Sequence, residues 1–323
     1  MSYGANWFIH FDAISKCLAK MGGRATCDME TGTLEIRARG RRIELFPQFV
    51  LFKPAGGVGY ALKLVEAVHS FVGWRPYVNR TWRLSSDKRA FKTFCLENGV
   101  CVPRLWTRPE EVEADVLIKR GVSSFSEGIH GPYKPDALKR SGRTPTQGEF
   151  FEEFILGDII KVSYWNAAPV CLDVLPMPTV TGDGARTLRQ LIMRLKVAHI
   201  ECDWQACQAI AEYQGLSLAS VVPEGRRVLV EFRYQSLLHP VATDFPNTNV
   251  LAKFAGAPLM DQLRGSGEIF WRGIPEGVRQ NTLFTVDGIL DRNGTAHFVE
   301  INSNPALHPD VYGPMLEGLV CPP

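Results

Sequence analysis

Residues 283–305 read LFTVDGILDRNGTAHFVEINSNP, and the rest of the chain is best understood from this segment. Its first half alternates apolar residues with polar or small ones, as a half-buried strand does. The dipeptide Asn293-Gly294 is a strong signal for a tight turn, and residues 295–301 are rich in strand-forming residues. We therefore predict a β-hairpin.

The hairpin predicts which side chains meet. If Asn293 and Gly294 alone form the loop, Asp287 faces Glu300, because each lies six positions from the loop. Asn302 lies two residues beyond Glu300, so its side chain leaves the same face of the sheet. A four-residue loop would keep all three side chains on that face. An odd shift in the pairing would separate them.

Two carboxylates that face each other across a strand pair repel, since their Cβ atoms lie about 5 Å apart. A divalent cation that prefers oxygen ligands removes this repulsion, and Mg²⁺ takes its remaining ligands from water and phosphate. The hairpin therefore favours a site for magnesium and a nucleotide triphosphate. The alternative is a solvent-exposed acidic pair on an ordinary hairpin.

Length and composition narrow the class of protein. A chain of 323 residues exceeds the usual size of one hydrophobic core, so two or three lobes are expected. The net charge of +2 gives no sign of a nucleic-acid partner. The eight cysteines form no CxxC pair, which indicates free thiols. We find no signal-peptide pattern and no apolar run of about 18 residues, so we expect no membrane association and a cytoplasmic location.

Two lysines and a loop form a second group of candidates. Residues 85–87 (SSD) are typical of a helix cap, which puts Lys88 in the first turn of a helix. A short apolar strand ends in Lys119, and a loop rich in Gly and Ser follows at 121–129. Such a loop can bring backbone N–H groups close to phosphate. A surface lysine and an ordinary turn are the alternatives.

The remaining pattern predicts further helices and strands. Residues 59–71 and 248–263 have the apolar spacing of helices. Strands are predicted at 149–155, 159–165, 170–175 and 228–232. Three acids, Glu152, Glu153 and Asp158, lie where the chain passes from one lobe to the next. They could accept hydrogen bonds from adenine or ribose, and solvated surface acids are the alternative.

Together these motifs resemble the ATP-grasp superfamily of carboxylate–amine ligases, which includes D-alanine–D-alanine ligase, glutathione synthetases, cyanophycin synthetases and the glutamate ligases that extend a ribosomal protein. Five motifs occur in the superfamily's order and span about residues 76–310. They are residues 86–103 (SDK with GVCVP), residues 117–129, residues 152–158, residues 180–188 (VTGDGARTL), and Asp287 with Glu300, Asn302 and Pro305.

The resemblance implies an α+β protein with the ATP-grasp fold, in which two α+β lobes clamp a nucleotide. A small α/β N-terminal domain precedes these lobes in the sequence. The domain boundaries that we expect are 1–84 for the N-terminal domain, 85–156 for the small lobe and 157–323 for the C-terminal lobe with the metal site.

The resemblance also implies a role for each motif. Asp287, Glu300 and Asn302 would hold one or two Mg²⁺, for which Mn²⁺ can substitute. The catalytic residues would be Lys119, Glu300 and Arg233, the last in the run 232–235 (FRYQ). The residues expected to bind ATP are Lys88, Lys119, Ser123, Ser124, Ser126, Gly128, Glu152, Glu153, Ile155 and Asp158.

The reaction implied is ATP-dependent joining of a carboxylate to an amine through an acyl phosphate, with an amino acid or peptide as substrate. The partners implied are therefore small-molecule or peptide carboxylates and amines, and a homodimer is common among relatives. Thr285, Gln235 and Arg120 depart from the arginine, asparagine and proline of relatives. Two alternatives follow: a small-molecule kinase on the same fold, and a nucleotide-binding module without turnover.

Overall fold

The computed structural model describes residues 7–52, 58–63, 68–121, 128–195, 202–233, 238 and 248–321. It combines helices with antiparallel sheets, so the predicted α+β class is confirmed. All eight cysteines are free thiols, as their spacing predicts. Within the described ranges, no helix has the length and apolar character needed to span a membrane.

The N-terminal part is one helix and a five-stranded sheet. The sheet has the order β1-β2-β3-β4, and β5 pairs with β3. These elements are α1 (Trp7–Lys20), β1 (Arg24–Cys27), β2 (Leu34–Ala38), β3 (Arg41–Phe52), β4 (Val58–Ala61) and β5 (Val68–Arg75). The helix predicted at 59–71 is therefore wrong for residues 59–61 and 68–71, which form strands, while residues 64–67 lie outside the described residues. Both β4 and β5 pair with the long strand β3, and this long-range pairing overrides the local apolar spacing.

A second, four-stranded sheet has the order β6-β9-β7-β8. Its strands and the two helices near it in sequence are α2 (Lys88–Glu97), β6 (Leu105–Trp106), β7 (Val116–Arg120), β8 (His130–Tyr133), α3 (Pro135–Ser141) and β9 (Glu149–Glu153). The predicted cap of α2 is confirmed, because the Asp87 side chain accepts hydrogen bonds from the backbone N–H groups of Arg89 and Ala90, both at 3.0 Å.

The third sheet has the order β11-β10-β14-β15 and carries the predicted hairpin. Its strands are β10 (Gly157–Trp165), β11 (Ala168–Leu175), β14 (Leu283–Asp291) and β15 (Ala296–Asn302). The other elements of this half are β12 (Thr179–Thr181), α4 (Leu188–Met193), α5 (Trp204–Tyr213), β13 (Arg227–Leu229), α6 (Pro258–Arg272), α7 (Glu276–Arg279) and α8 (Tyr312–Val320).

Helix α6 starts later than the sequence predicts. A helix was expected over 248–263, but residues 251–254 form a 3-10 turn and α6 begins at Pro258. Proline fits the first helical position because its missing N–H has no partner to lose there. The predicted helix is therefore wrong before Pro258 and correct from Pro258 onwards.

The first and last helices share one core. Ile14 and Leu18 of α1 are buried together with Tyr312, Met315 and Leu316 of α8. The Nδ1 atom of buried His10 lies 2.8 Å from the Tyr312 hydroxyl. The N-terminal sheet is therefore packed against the end of the chain.

The hairpin pairs Asp287 with Glu300, as predicted, although its loop differs from the prediction. Leu290 pairs with Ala296, and the N–H of Gly294 donates to the carbonyl of Asp291 at 3.0 Å, so the loop has one residue more than expected. Gly294 adopts a φ of +81°, which suits glycine. A register shift between Asp287 and Gly288 leaves Val299 as the extra residue of β15 and restores the predicted pairing.

Helix α6 offers a matched pair of glycines for a stability test. A Cβ on Gly267 would lie 2.3 Å from the Ala167 carbonyl oxygen, whereas a Cβ on Gly265 meets nothing within 4 Å. Gly267→Ala should destabilise the protein by about 2 kcal/mol through overpacking. Gly265→Ala should stabilise it by about 1 kcal/mol through helix propensity. Denaturant unfolding of both variants checks the pair, and equal effects would contradict this packing of α6.

Candidate functional site

The hairpin brings three predicted oxygen-bearing side chains onto one face of the third sheet. Asp287 faces Glu300, and Thr285 on the same strand faces Asn302. The Asn302 side-chain amide donates a hydrogen bond of 3.1 Å to Asp287. The Asp287 and Glu300 side chains remain 18% and 28% exposed, so a ligand can reach both carboxylates.

Each carboxylate of this facing pair has its own lysine. The Lys88 Nζ lies 2.9 Å from a Glu300 carboxylate oxygen, and Lys161 forms an ion pair with Asp287. Lys88 was predicted as a candidate, whereas Lys161 was missed. The available signal was its position on the predicted strand at 159–165, but its partner could not be named without the pairing of β10 with β14.

The two carboxyls of the pair titrate differently. Burial raises the pKa of Asp287, Lys161 opposes this effect, and the neighbouring Glu300 adds to it. For Glu300, burial also acts upward, but Lys88, Lys161 and Lys119 outweigh it and lower the pKa. Glu300 is therefore held as a carboxylate, while Asp287 binds a proton more readily than a solvated aspartate does.

Lys88 reaches Glu300 because of how α2 packs. Phe91 and Cys95 on α2 are buried in one core with residues of the third sheet such as Phe298. The backbone N–H of Lys88 also donates to the carbonyl of Gly121 at 3.3 Å, just after β7. Helix α2 therefore links the end of β7 to the hairpin.

The Gly/Ser loop lies mostly outside the described residues. This applies to the predicted phosphate contacts Ser123, Ser124 and Ser126. Gly128 is described and has a φ of +68°, and a Cβ there would lie 3.0 Å from the Arg120 side chain. Glycine therefore suits this position.

Lys119, the penultimate residue of β7, lies in a buried cluster with Glu152 and Lys92. Lys119 forms an ion pair with one oxygen of Glu152, and the Lys92 Nζ lies 2.7 Å from the other. Burial acts to raise the pKa of Glu152, but Lys119 and Lys92 together lower it to about 2. The sequence predicts that Glu152 contacts adenine or ribose. In this structure its carboxylate is enclosed between two lysines, and its role towards a nucleotide stays a prediction.

The other predicted nucleotide contacts, Glu153, Ile155 and Asp158, lie where β9 ends and β10 begins. Glu153 accepts hydrogen bonds from the Arg104 guanidinium at 3.1 and 3.2 Å. Ile155 is half-buried, and Asp158 lies inside β10 and pairs with Leu290. Strand β10 begins at Gly157, where a Cβ would lie 2.1 Å from the Leu290 carbonyl oxygen.

Arg233 is held by two acids. Its guanidinium lies 3.1 Å from Asp203 and 2.9 Å from Glu231, and the hydrogen bond with Glu231 raises the pKa of the arginine. Asp203 also caps α5 by accepting a hydrogen bond from the N–H of Ala206 at 3.0 Å. Gln235 of the same motif lies outside the described residues.

Thr285 stands at a position where the resemblance described above implies an arginine. It is buried between Ser163 and Asn302 in the sheet, two residues before Asp287. In the described part of the chain, its hydroxyl has no hydrogen-bond partner. An unsatisfied buried hydroxyl beside the oxygen-rich group marks a place where a bound ligand or water gains a hydrogen bond.

A different cluster lies on the neighbouring strand β11. The ligating atoms of Cys171, Asp173 and His308 lie within 4.8 Å of one another. The His308 Nδ1 accepts a hydrogen bond of 3.1 Å from the backbone N–H of Asp310, which leaves the ring proton on Nε2. Burial raises the pKa of the Cys171 thiol. A metal would have to displace both protons, so this cluster suits Mg²⁺ less well than the hairpin does.

No protein-family profile matches the chain, and no curated protein matches it. Solved structures do. A bifunctional glutathione synthetase from Pasteurella multocida is 12% identical over 97% of this chain and 43% of its own, with a TM-score of 0.39. A D-alanine–D-alanine ligase from Bacillus anthracis is 14% identical over 73% of this chain and 66% of its own, with a TM-score of 0.37. The ATP-grasp ligase PsnB, complexed with a minimal precursor, is 13% identical over 73% and 60%, with a TM-score of 0.35.

Among these solved structures, PsnB is described as an ATP-grasp ligase, the class that the sequence motifs resemble. The chain spans less than half the length of the glutathione synthetase. Because the identities and TM-scores are this low, the similarity carries no argument about reaction or substrate. Any inference about the reaction or the substrate rests on the residues of the site.

The pKa of Glu152 predicts how stability depends on pH. The folded value of about 2 lies below the ordinary 4.5, so the stabilisation is complete above about pH 4.5 and is lost as the pH falls towards 2. Between pH 5 and pH 3 the wild type should lose about 2 kcal/mol more stability than Glu152→Gln, which cannot titrate there. Urea unfolding at both pH values measures the difference. An equal loss of unfolding free energy in the wild type and in Glu152→Gln would contradict the ion pairs of Glu152.

Proposed function

We propose that the protein is an ATP-dependent ligase that joins a carboxylate to an amine, acting on an amino acid or a peptide. One observation supports this most strongly. Asp287, Glu300 and Asn302 lie on one face of the third sheet, with Lys88 and Lys161 on the two carboxylates. Hard oxygen ligands beside ammonium groups suit a magnesium–triphosphate complex, in which cation and anion each find partners.

The donor set fits magnesium. It consists of two carboxylates and an amide, all of which offer oxygen atoms. The Asp287 and Glu300 side chains are partly exposed. Asp287, Glu300 and Asn302 would hold one or two ions, which would neutralise charge on the phosphates when bound. In this structure Lys161 and Lys88 neutralise the two carboxylates. When a metal ion binds the carboxylates, these lysines would become available to phosphate oxygens.

The residues of the chain would act mainly by positioning and by charge. Lys88, Lys119 and Lys161 would bind phosphate oxygens, and Arg233 would stabilise the negative charge of the phosphate that is transferred. A substrate carboxylate oxygen would attack the γ-phosphorus, and the bond to ADP would break. The amine would then attack the acyl carbon, phosphate would leave, and the amine would lose a proton.

The proposed domains remain 1–84, 85–156 and 157–323. The sheet of β1–β5, the sheet of β6–β9 and the sheet of β10, β11, β14 and β15 fall into these three ranges in that order. Helix α8 belongs to the third range but packs on the first, so the N-terminal part and the third range share a core.

The test is an assay of ADP release with pooled amino acids and small amines, combined with hydroxylamine trapping. A ligase should release ADP in an amine-dependent manner and yield a hydroxamate from the acyl phosphate. A stable phosphorylated product without a hydroxamate would instead identify the kinase alternative. Binding of ATP with neither product would identify the nucleotide-binding module.

Glu300→Gln should lower turnover at least about 100-fold, since removing one charge that acts at the transferring phosphate costs on the order of 3 kcal/mol. Glu268→Gln removes the same charge from an exposed position on α6 and should leave turnover unchanged. Steady-state rates under saturating ATP and Mg²⁺ compare the two variants. Near wild-type turnover in Glu300→Gln would remove this residue from the reaction.

A further inference from the structure

The buried cluster at the end of β7 contains more positive than negative groups. Lys92 is 0% exposed and Glu152 is 2% exposed, while Lys119 stands at the edge of the cluster. Two lysines share a single carboxylate, one at each oxygen. When both lysines are protonated, the cluster carries a net charge of +1, which a neighbouring anion can neutralise.

Helix α2 brings both of its lysines to this region. Lys92 follows Lys88 by one helical turn, so the two side chains leave the same face of α2. Lys88 contacts Glu300 on the hairpin, and Lys92 contacts Glu152 on β9. One helix therefore places a cation against each of the two sheets.

Helix α2 links the strand that carries Lys119 to the hairpin. The backbone N–H of Lys88 donates to the carbonyl of Gly121, which lies two residues after Lys119, at 3.3 Å, and the Lys88 Nζ lies 2.9 Å from Glu300. If Glu152 had only Lys119 as a partner, the two would form a neutral pair, and an anion bound beside the hairpin would have to compete with a full carboxylate for this lysine.

We propose that Lys92 is a positioning residue that shares the Glu152 carboxylate and thereby leaves the Lys119 ammonium available to a phosphate group. The inference rests on the proposed function, because it assumes that Lys119 meets a nucleotide phosphate. Lys92 itself is enclosed and touches no ligand. It acts through Glu152, by dividing the negative charge of that carboxylate between two cations.

Lys92→Met tests this directly, because methionine fills the same space without the charge. Glu152 then pairs with Lys119 alone, and Mg²⁺–ATP should bind about tenfold more weakly. Lys119→Met should weaken binding at least as much, and adding Lys92→Met to it should change the affinity less than twofold. Isothermal titration calorimetry measures the affinity of the two single variants and the double variant for Mg²⁺–ATP. The loss of affinity in Lys92→Met should persist at high salt because the cluster is buried.

Inorganic tripolyphosphate with Mg²⁺ has the phosphates of ATP without the nucleoside. Its binding therefore shows whether an effect of a substitution acts at the phosphates. Because the proposal concerns charge at the phosphates, Lys92→Met should weaken tripolyphosphate binding by a similar factor. A loss seen with ATP but not with tripolyphosphate would overturn it. Lys20→Met removes the same charge from the exposed end of α1 and should leave both affinities unchanged.

A purely structural role for Lys92 gives a different result. Lys92→Met would then change the melting temperature but leave the affinity for Mg²⁺–ATP unchanged, and that outcome would overturn the inference. Lys92→Gln provides a second neutral variant if the methionine variant does not fold, and it should show the same loss of affinity. If Lys119→Met itself binds nucleotide normally, the phosphate role of Lys119 in the proposed function fails instead.

Discussion

The site depends on the repulsion between two carboxylates that the hairpin places face to face. Asp287 and Glu300 can stay together only if positive charge balances them, and Lys161 and Lys88 supply it. These lysines come from different parts of the chain: β10 pairs with β14, and α2 packs on the third sheet. The packing of the lobe is therefore tied to the neutralisation of this one pair, and the proposed magnesium–phosphate complex would bind among the same charges.

The sequence was most informative where a feature is local. The hairpin, its facing acids and the Asp87 cap depend on neighbouring residues, and each was predicted. The loop was predicted one residue too short, and the register still agreed because the bulge at Val299 compensates. Alternation along a strand cannot reveal a bulge, since the pattern on either side of it remains regular.

The ion pairs could not be predicted, because each joins distant segments. Lys161 finds Asp287 only through the pairing of β10 with β14, and Lys92 finds Glu152 only when α2 packs beside β9. For the same reason the enclosure of the Glu152 carboxylate by two lysines could not be predicted. The helix predicted at 59–71 failed in a similar way, because pairing with β3 decides the structure of that segment.

The shared core of α1 and α8 has a consequence for biosynthesis. Ile14 and Leu18 emerge from the ribosome long before their buried neighbours on α8 are made. The N-terminal sheet therefore cannot reach its final packing until translation has passed α8, and its apolar face stays uncovered until then. Chaperone binding to nascent chains should accordingly concentrate on this sheet.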